Sequence, residues 1–355
     1  MRLRFALLLT LMLGITAGCS HDSDPAPVAW KLLPYGAPQL SGFSAVRFAS
    51  AQVGWIIGGY VPDQLNSSTL LTTRDGGATW ARVNMLPFTF SGFRALSPVS
   101  EQVVFAVGVD PAAVSPTLPG PVGPANGRAV YKSTDGGTTW QKLPGTGFAD
   151  SFQLHFFDEQ NGLSFKNQTI QRTTDGGTSW QTVFVPASGN WDRVQFPTPA
   201  VGYAAGGGIS GGFVVGLLLS TGSLAKTTDR GATWQALPWT HQYISSLSFV
   251  SATVGFAATY PDHHLYKTQD GGTTWALVNS QLPASGNGQF LNEQEGYFAD
   301  GQSIQRTTDG GLTWHEEFHT TPNSQYPATI NSLHFPTAAA GFAVTADGQI
   351  IRGTR

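Results

Sequence analysis

Short runs of apolar and β-branched residues, each cut off by glycine or a polar turn, recur along this chain, and no amphipathic helical spacing takes over anywhere. One phrase returns repeatedly: a residue pair ending in an aromatic, a spacer, a glycine, then a β-rich run. Copies read VRFASAQVGWIIGG, LHFFDEQNGLSF, VQFPTPAVGYAAGG, LSFVSATVGFAA, QFLNEQEGYFA and LHFPTAAAGFAV. Each predicts two short strands joined by a turn.

A second phrase follows the first: TTRDGGATW ending at Trp80, STDGGTTW at Trp140, TTDGGTSW at Trp180, TTDRGATW at Trp234, TQDGGTTW at Trp275 and TTDGGLTW at Trp314. The tryptophans are 60, 40, 54, 41 and 39 residues apart, near the ~40–45-residue period of four-stranded propeller blades. The two long intervals contain a Pro/Gly-rich stretch from Gly108 to Ala129 and a Gly-rich stretch from Gly206 to Ser223. After Trp314 a seventh unit stops at Arg355 before its last strand. VAWKLLP around Trp30 matches TTWQKLP around Trp140. The fold class is therefore all-β, a seven-bladed β-propeller of four-stranded antiparallel blades whose last blade is closed by the N-terminal strand. Such closure leaves no unpaired edge at the seam.

Arg2 and Arg4 precede an uncharged run reaching Cys19, which reads as a signal peptide too short to span a membrane in the mature protein. Ile15–Cys19 resembles a bacterial lipobox, with Thr16 where leucine is usual, and implies acylation of Cys19. In the sorting rules that this resemblance implies, Ser20 favours the outer membrane, with the protein on its periplasmic or cell-surface side. The chain then divides into a lipoprotein signal peptide (1–18), a polar tether (19–27) and the propeller (28–355). Cys19 is the only cysteine, so an internal disulfide is excluded. Without Arg2 and Arg4, 17 basic residues face 22 acidic ones, a balance that argues against nucleic acid as a partner.

In a tight turn, aspartate accepts hydrogen bonds from nearby backbone N–H groups, and glycines supply positive φ. Asp75, Asp135, Asp175, Asp229, Asp270 and Asp309 therefore read as turn clamps above Trp80, Trp140, Trp180, Trp234, Trp275 and Trp314. One carboxylate per turn is too few for calcium, which takes 6–8 oxygens. Asp262, His263 and His264 lack further ligands in the sequence, and neither a metal site nor a cofactor is expected.

The phrase pair resembles that of the photosystem II assembly-factor-like propellers, and more loosely the bacterial neuraminidase (Asp-box) repeats of sialidases and sortilin-type receptors. The resemblance spans about residues 28 to 355 and implies the fold, while Asp-boxes occur on glycosidases, receptors and assembly factors alike. Its photosynthetic members act as chaperone-like binders of membrane-protein subunits.

Both insertions fall between strands two and three, on the face opposite the Asp-boxes. Trp191 and Trp239, assigned to inter-blade loops of that face with Asp192, Arg193, His241 and Tyr243 nearby, form a candidate binding patch; the alternative is that the rings anchor their loops. Arg47, Ser97, His155, Gln195, Ser248, Gln289 and His334 share one innermost-strand position and form a candidate ring around the central channel, for a small ligand or for ordered water. A sialidase would need an arginine triad, and the inner strands offer Arg47, Arg94 and Arg193. Arg94 lies in FRAL, not the FRIP signature of sialidases. Asp63, Asp110, Asp192 and Asp262 come from different blades, with no context pairing them as glycosidase acids. The expected function is a lipid-anchored envelope scaffold that binds a protein or glycan, with no catalytic residue assigned. The alternative is a glycoside hydrolase of sialidase-like Asp-box type.

Overall fold

A computed structural model describes residues 26–34, 41–60, 68–83, 93–109, 128–144, 151–166, 169–185, 190–209, 220–282, 286–322 and 327–355. The signal segment, Cys19, most of the tether, Asp63, Asp110 and the central parts of both insertions lie outside the described residues. Strands β1–β28, numbered in chain order, form seven antiparallel sheets of four, with no helix among the described residues. Blades I to VI each take four consecutive strands. Their innermost strands are β2 (Ser41–Phe48), β6 (Ala95–Pro98), β10 (Ser151–Phe156), β14 (Asn190–Gln195), β18 (Tyr243–Phe249) and β22 (Gly288–Phe290). Blade VII is β26 (Ile330–Thr337), β27 (Ala340–Thr345), β28 (Ile350–Thr354) and, as its outermost strand, β1 (Ala29–Leu33). β1 runs antiparallel to β28 with Trp30 opposite Gly353, so the N-terminal strand closes the ring as the repeat predicts.

The first repeated phrase is explained at the seams between blades. An aromatic on the second strand of one blade stacks on the phenylalanine of the next blade's innermost strand: Phe105 on Phe156 at 3.6 Å, Tyr203 on Phe249 at 3.5 Å and Phe256 on Phe290 at 3.6 Å. Tyr297 meets Phe335 at 4.5 Å, and Phe342 meets Phe48 at 4.3 Å. Each seam phenylalanine also covers a glycine of its own blade. A methyl group on Gly162 would come within 2.6 Å of Phe156, and one on Gly255 within 2.5 Å of Phe249. Blade II confirms the logic by departing from it. There Pro98 stands at the phenylalanine position, and its cross-strand partner is Val104, not glycine.

The second phrase is the turn between a blade's third and fourth strands. Asp75 Oδ1 accepts the Thr79 N–H at 2.9 Å and the Thr73 hydroxyl at 2.8 Å, while Oδ2 accepts the Thr79 hydroxyl at 2.5 Å. The same contacts recur at Asp135, Asp175, Asp229, Asp270 and Asp309. Bonds from the following Thr or Ser hydroxyl lead in holding Asp75, Asp175 and Asp270 down to about 2. Blade IV has Arg230 where the others have the first glycine, and it adopts φ +60°. Its guanidinium reaches Asp158 of blade III at 2.6 Å and lies over Phe157, contacts that offset left-handed strain of order 1–3 kcal/mol. Trp234 is buried against Phe165 and Phe196; the other five box tryptophans are half-buried.

Blade VII carries no Asp-box to cover blade VI, and an ionic cluster fills that place. Glu295, 1 % exposed, accepts the Tyr297 hydroxyl at 2.8 Å and Arg306 at 3.0 Å. It also pairs with the Arg355 side chain. Arg306 reaches Glu317 at 3.2 Å, and Glu317 accepts the Trp30 indole N–H at 3.2 Å. β1, through Trp30, and Arg355, which follows β28, are thus tied to Glu317 and Glu295, the two carboxylates of blade VI that share Arg306. Removing one member of a buried pair leaves the other uncompensated. Glu295→Ala is expected to cost about 3–5 kcal/mol in urea unfolding, whereas Glu293→Ala, which breaks the exposed bridge to Lys267, should cost less than about 1 kcal/mol.

Candidate binding site

The seven polar positions occupy one register. Arg47 pairs with Trp55, Ser97 with Phe105, His155 with Leu163, Gln195 with Tyr203, Ser248 with Phe256, Gln289 with Tyr297 and His334 with Phe342. Four of them clasp the next blade. The hydroxyl oxygens of Ser97 and Ser248 accept the N–H groups of Phe156 (2.7 Å) and Phe290 (2.8 Å). The amide oxygens of Gln195 and Gln289 accept those of Phe249 (2.6 Å) and Phe335 (3.0 Å). The two histidines use their ring faces instead. His155 stacks on Phe196 at 4.5 Å, and His334 stacks on Phe48 at 6.2 Å. Arg47 is the exception, because blade II offers Pro98, which has no N–H. Its Nη1 donates to the Val46 carbonyl at 2.8 Å and the Ser332 hydroxyl at 3.3 Å.

Arg193 lies two residues before the ring position on β14. Its Nε donates to the Ser245 carbonyl at 2.9 Å and its Nη1 to the Asp192 carbonyl at 3.0 Å. Burial lowers the Arg47 pKa, and the charge on Arg193 lowers it further.

The six residues assigned to the outer patch separate into three sets. Trp191 is not in a loop. It is the second residue of β14, 2 % exposed, and packs with Leu163, Phe165, Ile170 and Trp234 at the seam of blades III and IV. A register shift between Trp191 and Arg193 marks a bulge in β14, a turn of the ring that composition does not reveal. Asp192 accepts the Tyr243 hydroxyl at 2.9 Å, so Asp192, Arg193 and Tyr243 do meet across blades IV and V. Burial leads in raising Tyr243 to about 12. Trp239 and His241 form a separate aromatic group: Trp239 lies edge-on to His241 at 5.1 Å and to Trp275 at 5.3 Å, and His241 stacks on Tyr266 at 4.2 Å. Trp239 is fixed by its indole N–H on the Gln242 carbonyl at 2.9 Å.

On the same face, Asp262 accepts the Thr259 hydroxyl at 2.5 Å and lies 3.2 Å from His264 Nδ1. Tyr260, 49 % exposed, stands beside His263, whose Nδ1 is buried without a partner. Among the described residues no three His, Cys, Asp or Glu side chains are grouped to hold a metal. Asp192 and Asp262 are each engaged by their own neighbours, and Arg94 is exposed at the start of blade II. The Tyr266 contact and the Glu295–Arg306 cluster escape a reading by repeats, because both arise where the chain leaves its own consensus. Glutamates at 295 and 317 flanking Arg306 in the last complete blade are the available signal.

Burial holds His155 down to about 4 and His334 down to about 3, so both are neutral in the fold at pH 7. The unfolded chain, titrating near 6.5, takes up protons first. Stability from these histidines is full above about pH 6.5 and declines through 4 and then 3 as pH falls. His334→Gln, which installs the clasp used by Gln195 and Gln289, is expected to hold the thermal midpoint at pH 7 and to reduce its loss at pH 4.5 by several degrees.

Residues 131–142 match the BNR/Asp-box repeat model. The structure is similar to YCF48 bound to a D1 peptide (18% identity, 94% of this chain and 98% of that one, TM-score 0.65) and to YCF48 from Cyanidioschyzon merolae (19%, 91% and 98%, TM-score 0.63). It is also similar to the GH74 xyloglucanase of Xanthomonas campestris (16%, 91% of this chain and 53% of that one, TM-score 0.60). No curated protein matches by sequence. The chain is a seven-bladed β-propeller with Asp-box turns, and its fold is similar to that of YCF48.

Proposed function

We propose that this propeller is a binding scaffold of the bacterial envelope, held on the outer membrane through acylated Cys19, that engages a protein partner with the face opposite its Asp-boxes. The observation that carries this reading is an aromatic group in which half-buried Trp239 and His241 pack on buried Tyr266, with Tyr260 exposed on the same blade. Aromatic side chains with polar tips supply contact area at small entropic cost. The solved complex of YCF48 with a D1 peptide supports a polypeptide over a glycan as the ligand class. Chain direction supports the same face. Trp30 stands where other blades place the box tryptophan, so β1 begins at the Asp-box side and an upstream tether leaves from there, turning the insertion face away from the membrane.

Two measurements test the reading. Cross-linked capture from detergent-solubilised envelopes should recover a protein with wild type and lose most of it with a folded Tyr260→Ser/His241→Ala double variant; equal recovery would refute the assigned face. Trp191 is unsuitable for this purpose because it is core. For the anchor, Cys19→Ala should move the protein from the membrane pellet to the soluble fraction, and an unchanged pellet would dismiss lipidation at Cys19.

A further inference from the structure

Blades V to VII differ from the rest of the ring in charge. Between Trp239 and Ile351 the chain carries nine aspartates and glutamates against two basic residues, Lys267 and Arg306, whereas residues 28–238 carry 11 acidic and 13 basic residues. Both cations of the acidic sector are already committed, Lys267 to Glu293 and Arg306 to Glu295 and Glu317. Asp270 and Asp309 are closed within their boxes, and Asp347 is buried. The acids left over are Asp262, Asp300 and Glu316, and none has a lysine or arginine partner among the described residues. Asp262 lies in the turn between β19 (Gly255–Tyr260) and β20 (Leu265–Thr268), and Asp300 ends β23 (Gly296–Asp300) at the equivalent turn of blade VI. The uncompensated charge is therefore on the insertion face.

The blade V turn also carries an aromatic surface. Tyr260, half exposed, stands opposite Tyr243 in the register of β18 and β19, which brings the two side chains to one face of the sheet. A carboxylate adjoins each of them. Asp192 accepts the Tyr243 hydroxyl, and Asp262, two residues beyond Tyr260, is held by the Thr259 hydroxyl and His264. A carboxylate offers about four lone-pair sites, so both can accept further donors. His264 Nδ1 is also 3.2 Å from the Tyr266 hydroxyl, and this joins Asp262 to the stacked His241 and edge-on Trp239. Arg193, the basic neighbour on β14, donates instead to the Ser245 and Asp192 carbonyls.

We propose that the partner of the insertion face is a basic polypeptide segment, with lysine or arginine side chains seated on Tyr260 beside Asp262. A cationic side chain lays its apolar stem and its charge over a tyrosine ring and donates charge-assisted hydrogen bonds to the adjoining carboxylate. An acidic segment is repelled by the same groups, and complementary charge selects between the two. The inference rests on the face assigned above and adds the chemistry of the ligand to it.

The test is fluorescence anisotropy of the purified chain with three labelled peptides that alternate tyrosine with lysine, with glutamine or with glutamate. The lysine peptide is expected to bind at least about tenfold more tightly than the glutamine peptide, to weaken as sodium chloride is raised, and to outbind the glutamate peptide by more. Asp262→Asn should weaken the lysine peptide at least about fivefold and leave the glutamine peptide unchanged, while Glu159→Gln, which breaks the Lys132 bridge on the opposite face, should change neither. If Asp262→Asn fails to fold, Asp300→Asn takes its place with the same expectation. Equal binding of the lysine and glutamine peptides, no binding of the lysine peptide, or lysine binding unchanged in the folded aspartate variant would each overturn the proposal. The face is judged separately: glutamine-peptide binding lost in Tyr260→Ser/His241→Ala upholds the face without the basic ligand, whereas lysine-peptide binding that survives this double variant overturns both.

Discussion

Six of the seven blades rest on a phenylalanine lying over a glycine. Where an innermost strand carries this phenylalanine, the ring reaches across to the blade before it, and it does so only if the residue paired with it in its own sheet has no side chain. A β-carbon at Gly54, Gly162, Gly202, Gly255 or Gly296 would intrude on that ring. Stacked rings separated by 3.5–3.6 Å at three seams then set how closely blades approach, and this in turn brings the polar ring position within reach of the neighbouring N–H. Packing therefore comes first and the hydrogen-bonded clasp follows from it.

This dependence explains why so much of the fold is legible in the sequence. Aromatic, spacer and glycine are not independent preferences; they are one contact written in three places, repeated until chance is excluded. Blade II is the informative exception, since Pro98 and Val104 change together. The Asp-box is legible for a similar reason: its aspartate, glycines and threonine are satisfied within a single turn, so local chemistry suffices to specify it.

The candidate sites were less legible because they depend on contacts between blades. Trp191 resembles a loop aromatic when read along the chain, yet a bulge in β14 carries it into the seam beside Trp234. The polar ring was visible as a column of equivalent residues, while its division of labour was not. Whether a ring residue clasps, stacks or is left facing the channel is decided by the next blade: an N–H at Phe156 engages Ser97, whereas Pro98 leaves Arg47 without that partner.

The strand exchange in blade VII also makes the molecule a mechanical element. A pull on the chain ahead of β1 would enter the disc at the first residues of that strand and peel it from β28 beginning at the pair Ala29 and Thr354. The Trp30 indole bonded to Glu317, and Arg355 paired with Glu295, stand at that same end. Tension is thereby handed from the outermost strand of blade VII to the interior of blade VI. A pull that would otherwise unzip the edge of blade VII is shared by two blades at the end where the force arrives.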